Sequence, residues 1–366
     1  MLFAIELLNQ METKYPGVLA AMQRSTAPEI VMSRKRVSSA DYTCMVALMH
    51  WRRDKVIYNF EEVVAREIME QTDDPERTFP LSCMRQLPYP CVAVHVSPIT
   101  IVDPGTQEVL EEYTGNAFLW LDGDCLFSAW QLEGEKFLLS QLDLKDGMTI
   151  DDCYENIVTG NLERFFSASE ITEIKRKLGL KRFSDLSFLS ANALGQQSQP
   201  FNTAIRLSNV QEILMQRALH VILYLGCENA DVEAAEEKLR KGAWASSVGG
   251  KPREVKRNER RQALRETEGF NVNDVGYRIA GKYKRSFSYI PERNQANEHT
   301  GKTQGYGKRR AHFHHFWIGP KGGSIAKDIM NPKSGERGLR LRWIEATEIH
   351  PELRDESATI VDVGKV

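Results

Sequence analysis

Between Leu87 and Leu144 the apolar residues fall into short runs typical of strands, and on either side they recur at helical spacing. That change of period is the strongest constraint on the fold. Helical stripes flanking one block of short strands predict an α+β chain, not a helical bundle and not an alternating α/β sheet. The block contains CVAVHVSPITIV, EVLEEYTGN, AFLWLDGD, CLFSAWQLE and KFLLSQLDL, separated by turns such as DPGT and DGD. Each run is β-branched or aromatic, which predicts an antiparallel meander. Before it, LFAIELLNQMETKY, DYTCMVALMHWRRD and NFEEVVAREIMEQT read as helices, the second behind the cap candidates Ser38 and Ser39. After it come TIDDCYENIVTGNLERFF, SEITEIKRKLGL, the most apolar helix NVQEILMQRALHVILYLGCENA, and VEAAEEKLRKG as a short charged surface helix. A second β-rich section holds GYRIAGKYKR, RRAHFHHFWIG and GLRLRWIEATEI, joined by long loops rich in glycine and lysine.

These shifts divide the chain into an N-terminal helical region (1–86), a meander with helices (87–240), a basic arm (241–269), a basic β-rich region (270–350) and a tail (351–366). A length of 366 residues, 42% hydrophobic, supports a substantial core. The stretch ILMQRALHVILYLGC is too short to span a bilayer and carries Arg217 and His220, so no membrane partner is expected. The start, MLFAIELLNQ, lacks the basic region and cleavage site of a signal peptide. Six cysteines without a CxxC pair fit reduced thiols in a cytosolic protein.

The net charge of −2 conceals a split. From Arg240 to Glu345 there are 24 Lys+Arg against 10 Asp+Glu, or +14, so the remainder carries −16. A basic region of that size suits nucleic acid or an acidic partner, and equally a solvated face that pairs with the acidic half of the same chain. Within it lies KRRAHFHHFWIG, Lys308 to Gly319. On a strand, His312 and His314 share one face, and Phe313, His315 and Trp317 share the other. Two imidazoles on one face could begin a zinc site, but a third ligand is lacking nearby, and no metal is expected. His312, His314 and His315 beside arginine could also serve metal-independent RNA cleavage, one histidine taking the 2′-hydroxyl proton. The same residue types suffice for plain phosphate binding. In RGLRLRW, Arg340 and Arg342 line one face, and Leu339, Leu341 and Trp343 the other. Paired with KRRAHFHHFW, this makes a face of Lys308, Arg309, Arg310, His312, His314, Arg340 and Arg342 over an aromatic support of Phe313, Trp317 and Trp343. Arginine forks suit phosphate. A polyanion-binding face is the preferred reading of these residues, with cleavage as the rival. ANEHTGKT, Ala296 to Thr303, approximates a phosphate-binding loop, but QGYGKRR follows instead of a helix, so no nucleotide cofactor is expected. No basic recognition helix is evident, which disfavours a DNA-binding regulator.

The motif R-x-H-x-H-x-x-W (Arg310, His312, His314, Trp317) followed by L-R-x-R-W (Leu339, Arg340, Arg342, Trp343) resembles the C-terminal signature of a type V-A anti-CRISPR family. It is the second family described of that class, encoded by phages and plasmids. LPYPCVAVHVSP and RALHVILYLGCEN resemble its first central strand and its apolar helix. The resemblance implies a cytoplasmic protein of the bacterial host cell that lowers production of the type V-A Cas nuclease. It would do so by recognising the nuclease's nascent N-terminal peptide and promoting loss of its mRNA. It also implies a binder or adaptor that meets messenger RNA or the ribosome, rather than an enzyme.

Overall fold

The computed structural model describes residues 2–71, 79–102, 109–133, 136–183, 198–235, 268–281, 283 and 307–349. The chain is α+β, as expected from the change of period. The N-terminal helices are α1 (Phe3–Lys14), α2 (Val18–Gln23), α3 (Pro28–Arg34) and α4 (Ser39–Trp51). Ser38 caps α4, its hydroxyl accepting the Asp41 amide at 3.2 Å.

Strand β1 (Val56–Phe60) and helix α5 (Glu62–Met69) follow. This corrects the sequence reading, which began a helix at Asn59. VIYNF is a strand because it pairs in parallel with two partners, β2 (Cys91–His95) and β8 (Asn271–Val275). The meander continues with β3 (Ile99–Val102), β4 (Val109–Asp122), β5 (Cys125–Leu132) and β6 (Phe137–Asp143). Two runs expected as separate strands merge into the 14-residue β4, whose halves pair with β3 and β2. Gly115 makes the merger possible. It sits at φ +81° in a bulge, where a Cβ would collide with the Val96 and Ser97 carbonyl oxygens.

The helical middle is α6 (Ile150–Leu162), α7 (Ala168–Lys177) and α8 (Gln199–Leu225). Capping boxes at Thr149 and Ser167 start the first two. Val232–Ala234, expected to open a charged helix, is strand β7 against β8; residues 236–242 of that segment lie outside the described residues. GYRIAG, expected as a strand, turns instead. Asp231 receives the amides of Arg278 and Ile279 at 2.8 and 3.2 Å and so fixes the turn. Most of the basic arm and all of ANEHTGKT lie outside the described residues. The last strands are β9 (Gly307–Arg309), β10 (His312–Ile318), β11 (Gly338–Ile344) and β12 (Thr347–Ile349).

The main sheet runs β6-β5-β4-β2-β1-β8-β7, with β3 on β4. Helices α1, α2 and α4 cover one face through Ile57, Cys91, Ala93, Phe118 and Trp120. Helices α5, α6 and α8 cover the other through Val56, Tyr58, Val92, Val94 and Leu119. Burial on both faces explains why CVAV is continuously apolar.

Candidate functional site

Strands β10 and β11 form an antiparallel hairpin seated on α8 and α5. Its register sets Phe313 against Trp343, His314 against Arg342, His315 against Leu341, Phe316 against Arg340 and Trp317 against Leu339. One row is apolar and buried. Leu339, Leu341 and Trp343 are at most 2% exposed, and Phe313 is also buried. The Trp343 ring meets Phe313 at 4.8 Å and Tyr224 of α8 at 5.6 Å, both edge-on. Its indole Nε1 donates to the Tyr283 hydroxyl at 2.8 Å.

The turn after α8 extends this hairpin. The Glu228 amide donates to the Leu341 carbonyl at 3.0 Å. Asn229 bonds both backbone groups of Trp343, its Nδ2 donating at 2.8 Å and its Oδ1 accepting at 2.9 Å. An asparagine side chain thus replaces a neighbouring strand. At the far end Gly319 takes φ +89°, and a Cβ there would strike the Glu336 carbonyl oxygen.

Trp317 departs from the buried row expected of it. It is 43% exposed, and the Arg337 guanidinium lies 4.9 Å from its ring centre. Strand alternation assigned its side correctly. Its cross-strand partner Leu339 is buried, yet the Trp317 ring remains at the surface beneath the Arg337 guanidinium.

The opposite row carries the predicted polar residues. His314, Arg340 and Arg342 are exposed, and His312 and Phe316 are half-buried. His314 and Arg342 face each other directly across the ladder, as the alternation required. Arg340 is joined to Glu228 at 2.5 Å. The His312 Nδ1 lies 3.2 Å from the Arg310 carbonyl oxygen. Arg310 is exposed at the rim, its guanidinium 3.8 Å from the buried Glu67 of α5. Burial raises the Glu67 carboxyl above its ordinary range, opposed by Arg310 and the Ala311 amide. Lys308 and Arg309 lie on β9, paired through the backbone with Glu348 and Thr347 of β12.

His315 turns to the inner side, its ring 5.0 Å from Phe79. Burial lowers its pKa, and the neighbouring His314 lowers it further. His314 and His315 have ring centres 6.4 Å apart, on opposite sides of the strand. His220 is fully buried in α8, 3.2 Å from the Met69 carbonyl oxygen and 6.3 Å from the Phe313 ring. Among the described residues, no group of three or more His, Cys, Asp or Glu side chains is arranged to hold a metal ion. Among them, too, no helix is long and apolar enough to cross a membrane.

Sequence reasoning missed Glu67, Phe79, Glu228, Asn229 and Tyr283. Glu67 carried one signal: it stands between Val64 and Ile68 on the apolar face of an amphipathic helix, where an acid needs a partner. The others are remote in sequence from the strands they hold.

The chemistry of this hairpin is therefore that of a basic and imidazole surface fixed over an aromatic anchor. The AcrVA2-like family model, described as the anti-CRISPR type V subtype A2 family, matches residues 58–351, from β1 through the hairpin. A solved structure, the crystal structure of AcrVA2, is similar at 15% identity with a TM-score of 0.40, covering 93% of this chain and 85% of that chain. No curated protein matches. Because the family model spans well over half the sequence, including both signature strands, the chain belongs to the AcrVA2-like, anti-CRISPR type V subtype A2 family.

Proposed function

We propose that this protein suppresses type V-A CRISPR immunity by lowering production of the Cas nuclease. It acts in the bacterial cytoplasm, recognises the nuclease's nascent N-terminal peptide and promotes loss of its mRNA. Family membership supports an anti-CRISPR role against a type V-A system. The single observation that supports an RNA contact is the outer row of the hairpin. His314 and Arg342 stand opposite each other, with Arg340 beside them, exposed on a strand pair whose other row buries Phe313, Leu339, Leu341 and Trp343. The strand pair beneath the two arginines favours phosphate binding, because no backbone order has to be imposed on contact; Arg340 exchanges its Glu228 partner for the phosphate. The acidic meander is the proposed peptide partner and the basic C-terminal region the proposed RNA partner.

The reading is of an adaptor, with RNA loss carried out by host enzymes. The test measures Cas nuclease protein and mRNA in cells that express either the parent or the Arg340→Ala, Arg342→Ala double variant. The parent should depress both, and the variant should restore both while accumulating to the parent's level. Unchanged mRNA in the presence of the parent would refute the proposal. Cleavage of naked RNA by the purified protein, lost in His314→Ala or His315→Ala, would establish the ribonuclease reading instead.

A further inference from the structure

A second surface lies on the other side of the main sheet, away from the hairpin. The C-terminal ends of α2 and α4 meet the ends of β2 and β4 there, around a groove of about 730 Å³. Its walls include Met22, Met49, His50, Arg53 and Lys55, with Asp122 at the rim.

Two features of this groove point to a ligand. The first is a stack of three rings. Phe127 and Trp120 lie 5.2 Å apart at 8°, and Trp120 and His50 lie 5.4 Å apart at 18°. Trp120 is buried and covers one face of the imidazole. His50 is the member of the stack that lines the groove, so a flat ligand entering there would continue the column. Burial lowers the His50 pKa, and the nearby Asp122 opposes that shift. The second feature is charge. Arg52, Arg53 and Lys55 line the groove against the single acid Asp122. Arg52 is engaged by Glu12 at 3.0 Å, and the Lys55 ammonium lies 5.2 Å from the Phe270 ring centre. Arg53 is exposed, three residues beyond His50.

We infer that this groove binds a nucleoside monophosphate unit, free or at the 5′ end of an RNA. The base extends the Phe127–Trp120–His50 stack against the Met22 and Met49 thioethers, and the phosphate is held by Arg53 and Lys55. A planar ring with an attached anion matches both features at once. An acidic peptide satisfies only the charge.

The experiment is calorimetric titration of the full chain with AMP, GMP, CMP and UMP, with adenosine, and with oligoribonucleotides bearing a 5′-phosphate or a 5′-hydroxyl. At least one monophosphate should bind. Removing the phosphate, Arg53→Glu and His50→Ala should each weaken binding about tenfold or more. Lys177→Glu, a charge reversal on distant α7, should leave it unchanged. Arg53 is exposed, so its variant keeps the test informative if His50→Ala loses thermal stability. Competition by the 5′-phosphorylated oligomer alone identifies an RNA end as the ligand, and its absence identifies the free nucleotide. No binding by any nucleotide or phosphorylated RNA at millimolar concentration would overturn the inference. So would equal binding by the parent, Arg53→Glu and His50→Ala, or binding of an acidic peptide alone.

Discussion

Replacing Trp343 by alanine should unfold the hairpin's base, and replacing Trp317 should not. The two side chains lie on the same row of one hairpin. Trp343 is 2% exposed, packed edge-on against Phe313 and Tyr224. Large aromatic truncations in cores cost about 3–5 kcal/mol. The lost Nε1 bond adds little, because the Tyr283 hydroxyl still accepts the Ala346 amide. Packing therefore sets the size of the effect, which is a large share of a typical stability of about 5–15 kcal/mol. Trp343→Phe, which keeps a ring but loses the hydrogen bond and part of the area, should cost about 1–2 kcal/mol. Trp317 has a cation over one face and is 43% exposed, so its truncation should cost about 1 kcal/mol or less. Urea titration followed by circular dichroism gives the midpoints for all three variants. A Trp343→Ala midpoint equal to the parent's, or a Trp317→Ala loss as large as that of Trp343→Ala, would refute the reasoning.

Gly115→Ala should destabilise by at least about 1–3 kcal/mol, since both its positive φ and the Val96 carbonyl oppose a side chain; a melting temperature at the parent's value would show that the bulge relaxes freely. Glu67 gives a pH dependence of definite sign. Its carboxyl is raised from 4.5 by burial, so its contribution to stability is complete below that value and is lost as pH rises through the higher folded one. Glu67→Gln should therefore gain on the parent as pH rises above the ordinary carboxyl value of 4.5, and a constant difference in urea midpoints would contradict this. RNA affinity of the parent should fall as salt rises, and Arg340→Ala, Arg342→Ala should flatten the log–log slope by about two, one per phosphate contact, as read by fluorescence anisotropy.

Much of the site was legible because alternation is a local property. LRLRW and HFHHFW announced two strands with one apolar and one polar row, and their pairing followed from those rows matching. Depth was not legible. Period two gives the side on which Trp317 lies, but not whether anything covers it there: its ladder partner Leu339 is buried and Trp317 is not. Strand β1 escaped because VIYNF is short and its neighbour β8 lies far along the chain; Asn59 bonds Asp274 across 215 positions. The turn at GYRI was misread for a related reason, since it is Asp231, beyond the long helix, that holds it. Asn229 illustrates the remainder. A side chain that imitates a strand's hydrogen bonds leaves no periodic trace in the sequence.

The central claim is that recognition depends on the nascent peptide while loss falls on the message. Its most direct test fuses the first codons of the Cas nuclease to a fluorescent reporter and measures reporter mRNA half-life with and without this protein. One leader is recoded synonymously, so the RNA changes and the peptide does not. The other is frame-shifted, so the RNA is nearly unchanged and the peptide differs. Shortened half-life with the recoded leader and normal half-life with the frame-shifted one is the predicted result. Shortening with the frame-shifted leader, or no shortening with the recoded one, would contradict the account.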